Sequence, residues 1–241
     1  MPTVTLLAHT PLPAGTVAAA ARLCYSNADI AAVSERMQGE RADEFVRMLA
    51  GLGHESPIEH ASFTFGIEGV SRTFLAQITR HRLASYSVQS QRYVDKRDFS
   101  YIVPPSVREN PEALAEFEAC MRRCAESYER LAELLSGGDP QKRREILEDA
   151  RFVLPGACDT RMIVTMNARS LRGFFRQRCC RRAQWEIRAV ACEMLRLVKE
   201  AAPVLFENAG PPCLAGPCPE GKMSCGRMEE VRAAFRAAEK E

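Results

Sequence analysis

The residues best suited to chemistry lie in one segment, Arg80–Tyr93, which reads RHRLASYSVQSQRY. It contains three arginines, one histidine, three serines and two glutamines, but neither lysine nor an acidic residue. Arginine presents a planar fork of donors that matches phosphate oxygens, and it keeps its charge at physiological pH. Serine and glutamine add neutral hydrogen bonds that can orient a ligand. The segment therefore indicates a site for a polyanion, with an arginine-rich surface turn as the alternative.

The spacing within this segment resembles the signature of the flavin-dependent thymidylate synthases. Arg80–Arg82 reads Arg-His-Arg and is followed after seven residues by Ser90, and the usual Arg-Tyr ending is present as Arg92 and Tyr93. Four further segments between residues 54 and 187 resemble family motifs in the same order. What this resemblance implies about ligands and residues is an expectation for the structure.

The segment HESPIEH, residues 54–60, contains two histidines and two glutamates, which are also metal-ligand types. Their spacing fits no zinc motif, so we expect no metal here. Ser56 followed by Pro57 predicts a helix start that is capped by the serine. The family has a closely similar His-x-Ser-Pro-x-Glu-His segment, and the resemblance implies that His54 and Ser56 border the flavin.

The resemblance also implies a binding set for the nucleotide dUMP. Gln77 lies one helical turn before Arg80, so both side chains should point to the same side. Arg151 matches a family segment that reaches the nucleotide phosphate, and Arg178 matches the arginine assigned to the pyrimidine carbonyls and to catalysis. The residues expected to bind dUMP are Gln77, Arg80, Gln89, Ser90, Gln91, Arg92, Arg151 and Arg178.

A second set is implied for FAD. Asn167 and Arg169 form an Asn-x-Arg pair at the end of a predicted strand, where side chains two apart share a face. In the family this pair carries contacts to the flavin cofactor. The residues expected to bind FAD are His54, Ser56, Arg80, His81, Arg82, Asn167 and Arg169. For the arginines between residues 172 and 182, a basic helix face that binds RNA is the alternative.

Two positions depart from the family pattern. The family commonly has Asn-Glu where this chain has Ser87 and Val88, and Arg182 occupies a position often held by histidine. Val88 has no side-chain donor or acceptor, so a ligand contact there must use the backbone or pass to Gln89. These departures also motivate the rival interpretation, a flavin- or nucleotide-binding sensor of the same fold without catalysis.

The activity implied by the resemblance is reductive methylation of dUMP to dTMP. Methylenetetrahydrofolate is the carbon donor, NADPH the reductant and FAD the carrier of hydride to the pyrimidine. The protein then supplies binding, orientation and electrostatics. Arginine near the carbonyls would stabilise the enolate-like charge, and no cysteine nucleophile is required. Related enzymes imply a homotetramer with sites shared between subunits.

Composition limits the alternatives. The 241 residues are 46% hydrophobic, which suits one domain with a sizeable core. The net charge of +2 is low for a nucleic-acid binder. No apolar run is long enough to span a bilayer, and the N-terminus does not resemble a signal peptide, so we expect a cytoplasmic protein. Its ten cysteines should then be mostly reduced thiols.

We expect a catalytic domain over residues 1–207 and a Cys/Gly/Pro-rich tail with a short helix over 208–241. Cys213, Cys218 and Cys225 in this tail, with Cys179 or Cys180, could bind zinc, but the gaps match no common zinc ribbon. Reduced structural thiols are the favoured interpretation.

The elements that must position these residues follow from hydrophobic periodicity. Strands are predicted over 3–8, 60–69, 101–103 and 161–167, the second from strict alternation of Phe63, Phe65 and Ile67 with small or polar residues. Helices are predicted over 14–25, 43–52, 71–80, 110–135, 139–153, 170–178, 183–200 and from 228. Strands and helices mix without a regular βαβ rhythm. The predicted fold class is therefore α+β, a mostly antiparallel sheet flanked by helices in a single domain.

Overall fold

The computed structural model describes residues 2–136 and 142–238. Within these ranges the strands are β1 (Thr3–His9), β2 (Ser62–Ser71), β3 (Ser85–Val88) and β4 (Asp159–Asn167). The helices are α1 (Pro13–Leu23), α2 (Ile30–Arg36), α3 (Gly39–Gly51), α4 (Arg72–Ile78), α5 (Pro105–Arg108), α6 (Pro111–Ser136), α7 (Arg143–Ala150), α8 (Ala168–Arg178), α9 (Trp185–Ala201), α10 (Pro203–Phe206) and α11 (Met228–Ala238).

The four strands form one antiparallel sheet in the order β1-β2-β4-β3. The register of β2 against β4 is fixed at several points. The Thr64 and Thr165 hydroxyls lie 2.9 Å apart, Arg161 lies 3.6 Å from Glu68, and the Ala168 amide donates to the Ala61 carbonyl at 2.8 Å. The predicted α+β class with an antiparallel sheet is confirmed.

The chain is organised as two compact units. The first comprises Glu68–Arg80 and Ser87–Met162, and the second Pro2–Ile67, His81–Tyr86 and the residues from Ile163 onward. The signature segment therefore contributes to both units, since Arg80 belongs to the first and His81 to the second.

The first unit is built on α6 and α7. Tyr128 on α6 is fully buried against Leu147 and Ala150 of α7. Its hydroxyl accepts a hydrogen bond from the backbone amide of Lys96 at 3.3 Å. The Lys96 ammonium in turn lies 2.9 Å from the Asp159 carboxylate at the start of β4. This buried polar connection joins the loop after the signature to the start of β4.

The second unit has an aromatic core. Phe63 on β2 meets Phe206 edge-on at 5.3 Å between ring centroids, and Phe206 meets Phe175 of α8 at 6.0 Å. Phe174 follows at 5.8 Å from Phe175. Buried residues at helical spacing on α9, including Ile187 and Met194, complete the core. This packing fixes α8, the helix that ends at Arg178.

Most of the periodicity predictions are confirmed to within a few residues. The prediction of a strand over 101–103 is wrong, because Tyr101 makes only an isolated bridge to Cys158. The short helices α2, α5 and α10 were not predicted. Residues 137–141, which include the predicted start of the helix over 139–153, lie outside the described residues. No helix in the described ranges is long and apolar enough to cross a membrane.

Candidate active site

The signature segment begins as α4 ends. Ser71 caps α4 by accepting a hydrogen bond from the Phe74 amide at 3.0 Å, and after Ile78 the Arg80 amide donates to the Gln77 carbonyl at 3.3 Å. This turn ends the helix before Arg80, so the predicted helix over 71–80 is two residues too long. A turn therefore separates Gln77 from Arg80, and the two residues do not lie on one continuous helix face.

In the second unit the structure brings together two predicted site residues, Arg178 and His81. Arg178 is the last residue of α8, and its Nε donates to His81 Nε2 at 3.1 Å. The His81 ring lies edge-on to Phe174 at 4.9 Å between centroids. Tyr86 fixes the same turn, because its hydroxyl donates to the His81 carbonyl at 2.9 Å. Burial raises the pKa of Tyr86 to about 12, so this donor stays protonated.

The electrostatics of His81 are set by its surroundings. Burial of the ring, and secondarily the positive charge of Arg178, lower its pKa below the ordinary value. The imidazole is therefore neutral at physiological pH, and the contact to Arg178 assigns the accepting nitrogen as Nε2 and the protonated one as Nδ1. Because the neutral His81 ring accepts the hydrogen bond from Arg178 Nε, it fixes the plane of the guanidinium. The positive charge of Arg178 is therefore held in a defined direction.

In the first unit the structure gathers two predicted nucleotide-binding arginines around one carboxylate residue, Glu148. Arg92 reaches Glu148 Oε2 through Nε at 2.8 Å and Nη2 at 2.7 Å. Arg151 Nε donates to the Glu148 backbone carbonyl at 3.1 Å. The Ser90 hydroxyl accepts from the Arg92 amide at 3.2 Å, so it fixes the turn that carries Arg92.

Gln89 and Gln91 complete this group. The Gln89 amide donates to the Arg161 carbonyl at 3.0 Å, which places the residue at the end of β3 beside β4. Its side-chain Oε1 is buried and has no hydrogen-bond partner among the described residues. Gln91 is buried with its amide nitrogen 3.7 Å from Cys158 Sγ. A buried acceptor without a partner is costly, so Gln89 Oε1 is suited to a donor on a ligand.

The expected contact of Asn167 and Arg169 on a strand face is corrected by the structure. Asn167 ends β4 and caps α8, where its Oδ1 accepts from the Ser170 amide at 2.8 Å. Arg169 therefore lies on the helix, where it pairs with Glu59 at 2.5 Å and with Glu55 at 3.7 Å. The local preference of asparagine for helix caps overrode the strand periodicity.

The prediction that the Ser56 side chain caps a helix is also wrong. A 3₁₀ turn over Pro57–His60 begins as predicted, but the Ser56 side chain makes no capping hydrogen bond. His54 is positioned by its backbone, whose amide donates to the Leu49 carbonyl at 3.0 Å at the end of α3.

The two units hold different parts of the predicted site. Those in the first unit are Gln77, Arg80, Gln89, Ser90, Gln91, Arg92 and Arg151; those in the second are His54, Ser56, His81, Arg82, Asn167, Arg169 and Arg178.

Comparison with known proteins identifies the family. A family model described as thymidylate synthase complementing protein matches residues 5–204. The chain is 52% identical over 235 residues to a protein of Geobacter sulfurreducens named flavin-dependent thymidylate synthase, covering 97% of each chain. It is 48% identical over 236 residues to one of the same name from Clostridium tetani, covering 95% of each chain. The chain belongs to the flavin-dependent thymidylate synthase family.

A flavin dinucleotide, which this family membership implies, fits the donor set that the structure presents. Arg80, Arg82 and Arg169 are permanent cations suited to a diphosphate. His81 carries a neutral ring, suited to contact with a ring system. The chemistry of these side chains is therefore consistent with a bound flavin, on the charges and hydrogen-bond donors alone.

The acidic residues that pair with the arginines were not predicted from the sequence. Glu148 holds Arg92, and Glu55 lies near both Arg169 and Arg172. The sequence held one signal that Glu148 lies near a site arginine. It stands three residues before Arg151, which puts both on one side of a helix. The pairing of Arg92 with Glu148 spans 56 residues, and spacing alone could not reveal it.

The cysteines show no metal centre. Within the described residues, no group of three or more His, Cys, Asp or Glu side chains is arranged to hold a metal ion. All ten cysteines are free thiols. Cys179 is fully buried, and a hydrogen bond with Cys192 together with burial raises its pKa well above the ordinary value, while that of Cys192 falls to about 7.

Proposed function

We propose that this protein catalyses the reductive methylation of dUMP to dTMP. Methylenetetrahydrofolate supplies the carbon, NADPH supplies the electrons, and FAD is the bound cofactor. Support comes from 48–52% identity to flavin-dependent thymidylate synthases over nearly the whole chain. That likeness does not favour a sensor without catalysis. The protein is assigned to the cytoplasm within this proposal, which is consistent with its ten free thiols.

The observation that carries the proposal is the contact between Arg178 and His81. Arg178 is proposed to bind the pyrimidine carbonyls, with neutral His81 holding its guanidinium plane. A fixed cation at a carbonyl oxygen stabilises the negative charge that develops when the ring is activated. Because the cation is already oriented, no reorganisation is needed during the reaction.

The residues of the first unit are proposed to bind the rest of the nucleotide. Arg92 and Arg151 are suited to the dUMP phosphate; in the free protein Arg92 pairs with the Glu148 carboxylate, and Arg151 donates to the Glu148 main-chain carbonyl. Gln89 Oε1 is proposed to accept a hydrogen bond from the imide N–H of uracil. This bond would give the buried oxygen a hydrogen-bond partner. Gln77, Arg80, Ser90 and Gln91 complete the proposed dUMP contacts.

The residues proposed to hold FAD are His54, Ser56, Arg80, His81, Arg82, Asn167 and Arg169. When bound, FAD supplies the two-electron chemistry that carries reducing equivalents from NADPH to the pyrimidine. The protein's own contribution is to neutralise the diphosphate and to orient the ring system against the nucleotide. No cysteine takes part in this scheme.

Two measurements test the proposal. The purified protein should be yellow, with a flavin absorption band that FAD reconstitutes after removal. It should also release tritium from dUMP labelled at C5 in the presence of methylenetetrahydrofolate and NADPH. A protein that cannot be loaded with FAD, or a loaded protein that binds dUMP without tritium release, would contradict it.

A further inference from the structure

Two thiols meet where the end of α8 packs against α9, and neither belongs to the residues proposed to bind ligands. Cys179 directly follows Arg178 and ends α8, where its amide donates to the Phe175 carbonyl at 3.0 Å. Cys192 lies in the middle of α9 and shares a side-chain hydrogen bond with Cys179. Cys179 is fully buried, whereas Cys192 is partly exposed. One thiol of the pair can therefore be reached from solvent, and the other is reached only through its partner.

A guanidinium group acts on both thiols. Arg188 lies four residues before Cys192 on α9, so the two side chains share one helix face. Its positive charge favours the thiolate form of both Cys179 and Cys192. Arg188 Nε is buried and has no hydrogen-bond partner among the described residues. A buried donor without a partner is costly, so Arg188 is placed to stabilise an anion on a neighbouring sulfur.

Of the two thiols, Cys192 is the one that ionises. The hydrogen bond with Cys179 and the charge of Arg188 lower the pKa of Cys192 to about 7, although burial and Glu193 oppose them. The pKa of Cys179 is raised well above its ordinary value, first by the same hydrogen bond and then by burial. The thiolate is the form of cysteine that reacts with oxidants. An accessible thiolate beside a buried thiol is the arrangement of an attacking and a resolving cysteine.

We propose that hydrogen peroxide converts Cys192 and Cys179 reversibly to a disulfide, and that this bond pulls Arg178 out of its contact with His81. A covalent bond between two sulfurs is shorter than a contact between two thiols, so its formation draws Cys179 towards α9. Arg178 is the next residue in the chain and moves with it. The loss of turnover that follows rests on the proposed function, whereas formation of the disulfide does not.

The oxidation proceeds in two balanced steps. The Cys192 thiolate attacks one oxygen of hydrogen peroxide, the O–O bond breaks, and a sulfenic acid and a hydroxide ion form. The Cys179 sulfur then attacks the sulfenic sulfur, the S–O bond breaks, and the leaving oxygen departs as water with the Cys179 proton. The two sulfurs together lose two electrons, which reduce one peroxide. A dithiol reductant reverses the change by thiol–disulfide exchange.

The test treats the purified, reduced protein with hydrogen peroxide in the presence of FAD, removes the peroxide with catalase and divides the sample. One part is digested with trypsin for mass spectrometry, in which the disulfide joins residues 179–181 to residues 189–196. The other part is assayed for turnover. Turnover should fall about tenfold or more, as expected for a displaced catalytic group, and should return with dithiothreitol.

Variants assign the two sulfurs. Cys192→Ala removes the attacking thiol from a partly exposed position, and Cys179→Ala removes the resolving thiol. Both should be active before peroxide treatment, form no cross-link and keep their turnover afterwards. Cys180→Ser is the matched control, because Cys180 lies in the same tryptic peptide as Cys179 but the hydrogen bond of Cys192 is to Cys179. It should cross-link and lose turnover as the wild type does.

The role of the cation has its own control on the same helix. Arg188→Gln removes the charge that favours the thiolate, so the cross-link should form severalfold more slowly. Arg196→Gln, at an exposed arginine of α9, should leave the rate unchanged. Equal rates in the two variants would contradict the assignment of Arg188 to the thiol pair.

A wild type that does not form this cross-link would overturn the proposal, as would a cross-link that leaves turnover unchanged. A cross-link that persists in Cys179→Ala and disappears in Cys180→Ser would name Cys180 as the resolving thiol and refute the pair. The cross-link is scored by mass and not by activity. Its presence in a protein that releases no tritium before oxidation would therefore contradict the proposed function and not the thiol pair.

Discussion

At the scale of single residues, we expect the orientation of Arg178 to decide activity. Arg178→Ala should lower turnover by about 10²–10³-fold, the usual cost of removing one donor to a developing negative charge. Arg178→Lys keeps the charge but loses the fork and the Nε contact to His81, so it should rescue little. Steady-state kinetics with FAD loading measured in parallel would check this. Arg196→Gln, a change at an exposed arginine on α9, is the control and should be near wild type.

Because His81 is neutral in the folded protein, the free energy of unfolding should depend on pH in a defined direction. Its folded pKa is lowered from the ordinary value of 6.5 by burial and by Arg178. The folded state therefore takes up the proton less readily than the unfolded chain, so the stabilisation is complete above about pH 6.5 and is lost as the pH falls through the lowered pKa. The melting temperature of the wild type should fall more between pH 7.5 and 5 than that of His81→Gln. Parallel curves would show that His81 does not titrate as the structure indicates.

The cysteines are expected to be dispensable for chemistry. Cys180→Ser should retain most of the turnover, because neither the proposed reaction nor its contacts require a thiolate. Cys179→Ser places a hydroxyl in a fully buried position, so it should lower the free energy of unfolding by about 1–2 kcal/mol while specific activity persists. Loss of turnover in Cys180→Ser, with FAD and dUMP still bound, would restore a cysteine nucleophile.

Residue types were predictable where the chemistry is local. The density of arginine in the signature predicts an anion site, and in the structure one of these arginines, Arg92, pairs with the Glu148 carboxylate. Glu148 and Glu55 were not foreseen as partners, because their contacts depend on tertiary packing. The neutral state of His81 was also beyond the sequence, since it depends on burial beside Phe174.

At the scale of elements, α8 depends on its cap. Asn167→Ala removes the acceptor for the Ser170 amide and should cost about 0.5–2 kcal/mol of stability. Asp29→Ala is a matched control, because Asp29 caps α2 through the Ala32 amide at 2.8 Å and has no proposed ligand role. Chemical denaturation should show a similar loss in both variants. FAD affinity should fall only in Asn167→Ala; an equal fall in both would reduce Asn167 to a structural residue.

The elements that sequence predicted well are those with a strong period. Strand β2 alternates buried and less buried positions from Ser62 to Ile67, as its apolar alternation predicted. The four-residue helices α5 and α10 are too short to show a 3.6-residue period, and the predicted strand at Tyr101 had β-forming residues but only one bridging partner. Pairing partners, unlike periodicity, are a property of the whole chain.

At the scale of the whole molecule, we expect a homotetramer in which each site takes residues from more than one subunit. The proposed function requires a chain of 241 residues to bind a dinucleotide, a nucleotide and a folate, and sites of that size often form at interfaces. Light scattering of the purified protein should give four times the chain mass. A monomer in solution would refute both the assembly and the sharing.

Subunit exchange tests the sharing directly, and the structure supplies its control. Arg178 and His81 are joined within one chain at 3.1 Å, so a mixture of Arg178→Ala with His81→Ala should stay inactive, because no chain carries both residues intact. Arg151 belongs to the other unit. If a site takes Arg151 from one subunit and Arg178 from another, random exchange of the two inactive variants should restore roughly a quarter of the wild-type activity. If neither mixture recovers activity, the whole site lies within one chain. If both mixtures recover activity, Arg178 and the histidine that orients it come from different chains.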